Sequence, residues 1–189
     1  MTRKYSKNFI FYLVPFVCGL ISTLSLPPYN LFYLNFISFP FLLLFYLRLE
    51  IKKNSISFLY GWIFGFAYFV SNIYWIANSL TVEEIFKPLI PFAIIIIPLF
   101  LGIFYGISFL IFSYFKPKKK IESIFLFALV FSLIEYLRGH ILGGFPWNLI
   151  SFSLIEINQF LQILSYVGTY SFNLIVVTIF LVPTVILFE

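Results

Sequence analysis

Glu135 and Arg138 are the residues whose types and spacing invite chemistry. They lie three apart in an otherwise apolar run, so a helix places both on one face. Ionisable groups inside lipid are costly, and they pair or line a polar cavity. The pair opens the stretch Glu-Tyr-Leu-Arg-Gly-His-Ile-Leu-Gly-Gly-Phe-Pro-Trp-Asn at 135–148. Gly139 can end the helix. Gly143 and Gly144 reach backbone angles closed to other residues, Pro146 fixes the next turn, and Trp147 suits a membrane–water boundary. The expected product is a shaped re-entrant or interfacial segment facing outwards. The plainer reading of the same residues is an interfacial anchor with a charge pair that steadies the bundle.

Other reactive residue types offer little. Cys18 is the only cysteine, which rules out an internal disulfide and a Cys-based metal site. It falls mid-run with no basic neighbour, where a thiol stays protonated, and it reads as a small packing residue. His140 is the only histidine and reads as a loop residue near the interface rather than a ligand or base. No cofactor and no metal is implied.

The elements that must position these residues follow from composition. Of 189 residues, 62% are hydrophobic and 10% charged, less than half the charge of a soluble domain, about 25%. A water-soluble globule, a disordered tail and a nucleic-acid binder are excluded, and the net charge of +5 points to a membrane surface. The expected fold class is all-α, a polytopic transmembrane bundle forming one domain over 1–189. The length suits about six spans of roughly 20 residues. Apolar runs and breakers place them at 9–26, 31–49, 56–80, 88–115, 121–139 and 159–188. Helices satisfy their own backbone in lipid, and the runs are too long and too uniform for barrel strands. Pro27, Pro28 and Asn30 make the first two spans a tight hairpin. Arg3, Lys4 and Lys7 followed by an apolar run could be a signal peptide, but without a small-residue cleavage site the run is read as a retained helix.

Basic residues set the orientation. Arg3, Lys4 and Lys7 precede the first span. Arg48, Lys52 and Lys53 separate the second and third, and Lys116, Lys118, Lys119 and Lys120 separate the fourth and fifth. Only Lys87 and Arg138 fall on the other connections, so the N-terminus is expected in the cytoplasm and an interfacial segment at 140–158 outside it. Gly61-x-x-x-Gly65 and Gly102-x-x-x-Gly106 favour close helix packing. Gln162, Tyr166, Thr169 and Asn173 read as a polar stripe on the sixth span, turned to protein. Asn72, Trp75 and Ser79 read likewise on the third.

Glu-Tyr-Leu-Arg-Gly at 135–139 running into Gly-Phe-Pro-Trp at 144–147 resembles the signature of the apolipoprotein N-acyltransferases. Cys18-Gly19 through Leu26-Pro27-Pro28-Tyr29-Asn30 is similar to that family's first hairpin. Gly61-Trp62 through Gly65-Phe66, then Tyr74-Trp75-Ile76 and Ser79, is similar to its third helix, and Gly168 through Asn173 to the start of its sixth. The resemblance implies a bacterial cytoplasmic (inner) membrane protein. It implies an extracytoplasmic nitrilase-type domain in which a Glu is general base, a Lys stabilises the oxyanion and a Cys is nucleophile. The family moves an acyl chain from a phospholipid, through a thioester, to the α-amine of a lipoprotein's diacylglyceryl-cysteine, a two-step covalent reaction.

Neither Cys18 nor Glu135 matches those catalytic residues. The expectation is therefore a membrane portion, as a fragment, split gene or relic, without acyl-transfer activity by itself. Trp75, Glu135, Arg138, Gly144, Phe145, Pro146 and Trp147 are the residues expected to shape its outward-facing, lipid-contacting surface. Expected partners are membrane phospholipids, diacylated lipoproteins and a separately encoded nitrilase-like domain, with no nucleic acid. The rival classes are a small transporter or channel using Glu135 or the polar stripe, and a purely structural membrane subunit.

Overall fold

A computed structural model describes residues 2–51, 53–115, 119–141 and 143–187, with side chains undescribed for 2–8 and 77. Lys52, Lys116 and Lys118, and the side chains of Arg3, Lys4 and Lys7, lie outside the described residues. The described chain is all-helical. Its helices are α1 (Thr2–Thr23), α2 (Asn35–Arg48), α3 (Asn54–Asn72), α4 (Ile90–Phe115), α5 (Lys120–Arg138), α6 (Asn158–Val167), α7 (Thr169–Leu181) and α8 (Pro183–Leu187), with short 3-10 stretches between them.

Glycines set the closest helix approach. A Cβ on Gly65 in α3 would lie 2.9 Å from the Gly102 Cα in α4, and one on Gly102 would lie 3.1 Å from the Phe66 backbone nitrogen. Only hydrogen fits there, so the two small-residue faces inferred from spacing pack against each other. The expected hairpin also forms. Asn30 takes a left-handed φ of 57°, and hydroxyls pin α1 to α2. Ser38 donates to the Cys18 carbonyl at 2.7 Å, and the Asn35 side chain donates to Ser25 Oγ at 2.8 Å.

The interior is aromatic. Apart from Arg138, the largest fully enclosed side chains are all Phe or Tyr, among them Phe39, Phe64, Tyr105 and Phe131. Tyr105 and Phe131 stack with centroids 4.6 Å apart. Phe92, Ile96, Phe125, Leu133 and Ile179 face outwards instead, an apolar exterior that suits hydrocarbon rather than water.

Two expected spans are broken. The run read as 56–80 ends its α-helix at Asn72 and continues as a 3-10 stretch, Tyr74–Thr81, after a bend of 50°. The run read as 159–188 breaks at Gly168, whose φ of 80° is closed to a helix. The two polar stripes therefore do not exist as continuous faces. Tyr166 is 90% exposed whereas Asn173 is buried, and Asn72 is buried whereas Trp75 and Ser79 are exposed beyond the bend. By length and composition, Glu84–Phe115 and Thr169–Leu187 are each able to cross a membrane, and the bent pair would be a third.

Polar groups divide between the two ends of the bundle. Arg48, Lys53, Lys119 and Lys120 gather at one end, where Arg48 reaches the Leu187 carbonyl at 3.5 Å and Ser113 donates to Asn54 at 3.2 Å. At the hairpin end, Lys87 pairs with Glu84 and Asn30 donates to Glu156 at 2.7 Å.

Candidate functional site: a buried clasp at the hairpin end

The last turn of α5 carries Glu135 and Arg138 into the interior rather than to a surface, with side chains wholly enclosed. Tyr105 of α4 donates its hydroxyl to Glu135 Oε1 at 2.8 Å, and Asn173 of α7 donates Nδ2 to Oε2 at 2.5 Å. Both carboxylate oxygens are thus held by neutral donors from two other helices. The Arg138 guanidinium lies farther off, with Nη2 3.6 Å from Oε1, so the ion pair is close but not hydrogen-bonded.

Arg138 spends its hydrogen bonds on the segment that follows. Nη1 donates to the carbonyls of Phe145 and Trp147, each at 2.8 Å. The guanidinium carbon sits 5.2 Å from the Phe69 ring centroid and 5.8 Å from that of Phe145, in cation–π range. Phe145 N–H returns a 2.9 Å bond to the Arg138 carbonyl. The chain can make that return because Gly143 and Gly144 take φ of 85° and 77°, in the left-handed region that glycine reaches without strain. At Gly144 a Cβ would also meet the Gly139 carbonyl at 2.5 Å.

Beyond Trp147 the segment sinks into the bundle. Tyr68 donates to the Asn148 carbonyl at 2.9 Å, and the Asn148 side chain donates to Asn72 Oδ1 at 2.7 Å. Ser151 N–H donates to Asn173 Oδ1 at 2.9 Å. Asn173 therefore ties the Glu135 carboxylate to the buried 3-10 stretch Ile150–Leu154. This arrangement fixes the shape of a loop. The carboxylate is wholly enclosed, with each oxygen already engaged by a donor from the bundle, so it presents no surface to a substrate.

Of the residues expected to shape an outward surface, Trp75, Pro146 and Trp147 are exposed, Gly144 and Phe145 are half-buried, and Glu135 and Arg138 are internal. Trp75 and Trp147 line one cavity of about 260 Å³ with Tyr29, Asn72 and Asn148. Spacing along the chain did not reveal Tyr105, Tyr68 or Ser151. Asn72 and Asn173 were visible as polar residues in apolar runs, though not as partners of this segment. Cys18 is buried and lines an apolar groove with Val17 and Phe41. His140 is exposed at the end of α5, where Nδ1 donates to the Tyr136 carbonyl at 2.7 Å and the ring lies 5.2 Å from Tyr170.

Fold and site together define a helical bundle of membrane type whose Glu-Arg pair straps a Gly-Phe-Pro-Trp segment across one end. A sequence model of the apolipoprotein N-acyltransferase N-terminal domain matches residues 18–182. The chain belongs to the apolipoprotein N-acyltransferase family. It is similar to apolipoprotein N-acyltransferases of Brucella melitensis, at 31% identity over 182 residues, and of Sinorhizobium medicae, at 32% over 181. Another, from Rhodopseudomonas palustris, is 32% identical over 178 residues. Each alignment covers 92% of this chain, and the chain spans about a third of those relatives' length.

Proposed function

We propose that these residues form the membrane part of an apolipoprotein N-acyltransferase of the bacterial inner membrane. In this reading 1–189 is one transmembrane domain. The six crossings are α1, α2, α3, α4, α5 and the continuous α7–α8, with the N-terminus in the cytoplasm. The charge division supports the orientation, because Arg48, Lys53, Lys119 and Lys120 make one end the basic one, and the basic end belongs inside. The strapped segment then lies at the outer surface, beside the phospholipid acyl donor and the diacylglyceryl-cysteine of an acceptor lipoprotein.

The observation that carries this reading is the Arg138 clasp, which holds the segment containing the family-like Gly-Phe-Pro-Trp in one shape at one end of an apolar bundle. The bundle acts as a platform, and the acyl chemistry is performed by a nitrilase-type domain seated on it. Cys18 cannot carry the thioester, since a thiol enclosed in an apolar groove has no cation nearby to favour thiolate. The enclosure of Glu135 by Tyr105 and Asn173 gives no support to a transport path.

The test is a chimera in which residues 18–182 replace the matched segment of the Sinorhizobium medicae relative. It should restore N-acylation of a diacylated lipopeptide in membranes depleted of the native enzyme. A chimera that inserts and folds yet transfers no acyl chain contradicts the proposal. So does acyl transfer by these 189 residues alone.

A further inference from the structure

We infer that the basic end of the bundle is a docking surface for the headgroups of anionic phospholipids. Four exposed cations define it: Arg48, Lys53, Lys119 and Lys120. Short links gather them. The connection 49–53 joins Arg48 to Lys53, and Arg48 reaches the Leu187 carbonyl of α8 at 3.5 Å. Asn54, next to Lys53, accepts from Ser113 at 3.2 Å, which sets the start of α3 against the end of α4. Only the connection 116–119 separates that end from Lys120. Among the described residues Glu50 and Glu122 share this end, and Glu122 lies 3.3 Å from Lys119. The cations outnumber the carboxylates, so the surface keeps a positive excess.

Helix stability does not explain these lysines. Lys53 and Lys119 are the N-cap residues of α3 and α5, with extended ψ of 126° and 139° and no side-chain cap, and Lys120 opens α5. A helix start favours Ser, Thr, Asp or Asn as its cap and anions beside it, so the helix dipole opposes a lysine there. An external anion reverses the sign, because lysine and helix start then attract it together. The surroundings specify which anion. Ile56 stands one turn past Lys53, Ile121 follows Lys120, and Tyr114 and Phe115 end α4, all four exposed. Such side chains belong at the edge of the hydrocarbon, with aromatic rings at headgroup level, and long cationic side chains beside them reach lipid phosphates. A nucleic acid or an acidic protein would leave that apolar rim in water. A topology signal acts during insertion, whereas a docking surface gives the folded chain a lasting lipid preference. This surface rests on the membrane placement proposed above. It adds an inner-leaflet partner distinct from the acyl donor and acceptor at the other end.

The test is lipid binding by the purified chain in neutral detergent micelles, read by fluorescence polarisation of a pyrene-labelled phosphatidylglycerol. It should bind saturably and more tightly than phosphatidylcholine with the same labelled chain, and added salt should weaken it. Lys53→Gln and Lys119→Gln should each weaken phosphatidylglycerol binding about fivefold, the share of one basic residue at such a surface, and leave phosphatidylcholine unchanged. Equal affinity for the two lipids in the unmodified chain overturns the inference without reference to any variant. A preference that survives replacement of all four cations by glutamine overturns the location. A single-stranded oligonucleotide that displaces the labelled lipid at equal charge concentration overturns the choice of partner. The readout is binding in micelles and involves no acyl transfer, so its failure is distinct from a failure of the chimera.

Discussion

Arg138 grips Phe145 from both sides of the peptide chain. Its guanidinium donates to the Phe145 carbonyl at 2.8 Å, and its own carbonyl accepts the Phe145 N–H at 2.9 Å. One residue thus ends α5 and fixes the loop that leaves it. Arg138→Met removes the side-chain half of the grip and leaves the Glu135 charge enclosed without its counter-ion. The expected cost is about 3 kcal/mol, read as a lower unfolding midpoint in detergent. Protease cleavage between Gly143 and Asn148 should rise at the same time. Arg138→Lys should not rescue, because an ammonium lacks the planar fork that reaches two carbonyls at once.

The Glu135–Arg138 pair should behave as a coupled unit. Glu135→Gln presents an amide NH₂ to Asn173 or Tyr105 and strips Arg138 of its balancing charge, at a cost of about 2 kcal/mol or more. Combining Glu135→Gln with Arg138→Met removes both charges together, so the double variant should be less destabilised than the sum of the singles. A double-mutant cycle measures the difference, expected at roughly 1–3 kcal/mol. Strict additivity would show that the two side chains do not act on each other.

Glycine substitutions should separate packing from backbone strain. Gly65→Ala drives a methyl against Gly102 and Tyr105 and should push α3 from α4, at about 1–3 kcal/mol. Gly143→Ala meets nothing within 4 Å but must hold a φ of 85°, which costs about 1–2 kcal/mol and should loosen the loop while leaving the bundle intact. Thermal unfolding together with loop proteolysis distinguishes them. Gly65→Ala should lower the midpoint, and Gly143→Ala should mainly raise cleavage at the loop.

Much of this architecture was legible in the sequence. The hairpin at Pro27–Asn30, the paired glycine faces of α3 and α4, and the left-handed glycines at 143 and 144 all follow from local residue chemistry. The break at Gly168 was hidden because the apolar run continues through it, and a glycine inside a membrane helix is common enough to pass without notice. The bend after Asn72 has no proline or glycine to announce it. The Glu135–Arg138 spacing was visible, but its destination was not. Burial depends on Tyr105, Asn173 and Tyr68, which arrive from helices remote in sequence, and no local pattern states which face of α5 they cover.

Sidedness tests the central claim most directly. In a Cys18→Ala background, single cysteines at Trp147 and Tyr114 mark opposite ends of the bundle, and both native side chains are well exposed, at 56% and 68%. A membrane-impermeant maleimide applied to intact spheroplasts should label the cysteine at 147, and should label the one at 114 only after permeabilisation. Labelling at 114 with protection at 147 would place the clasp in the cytosol and contradict the account.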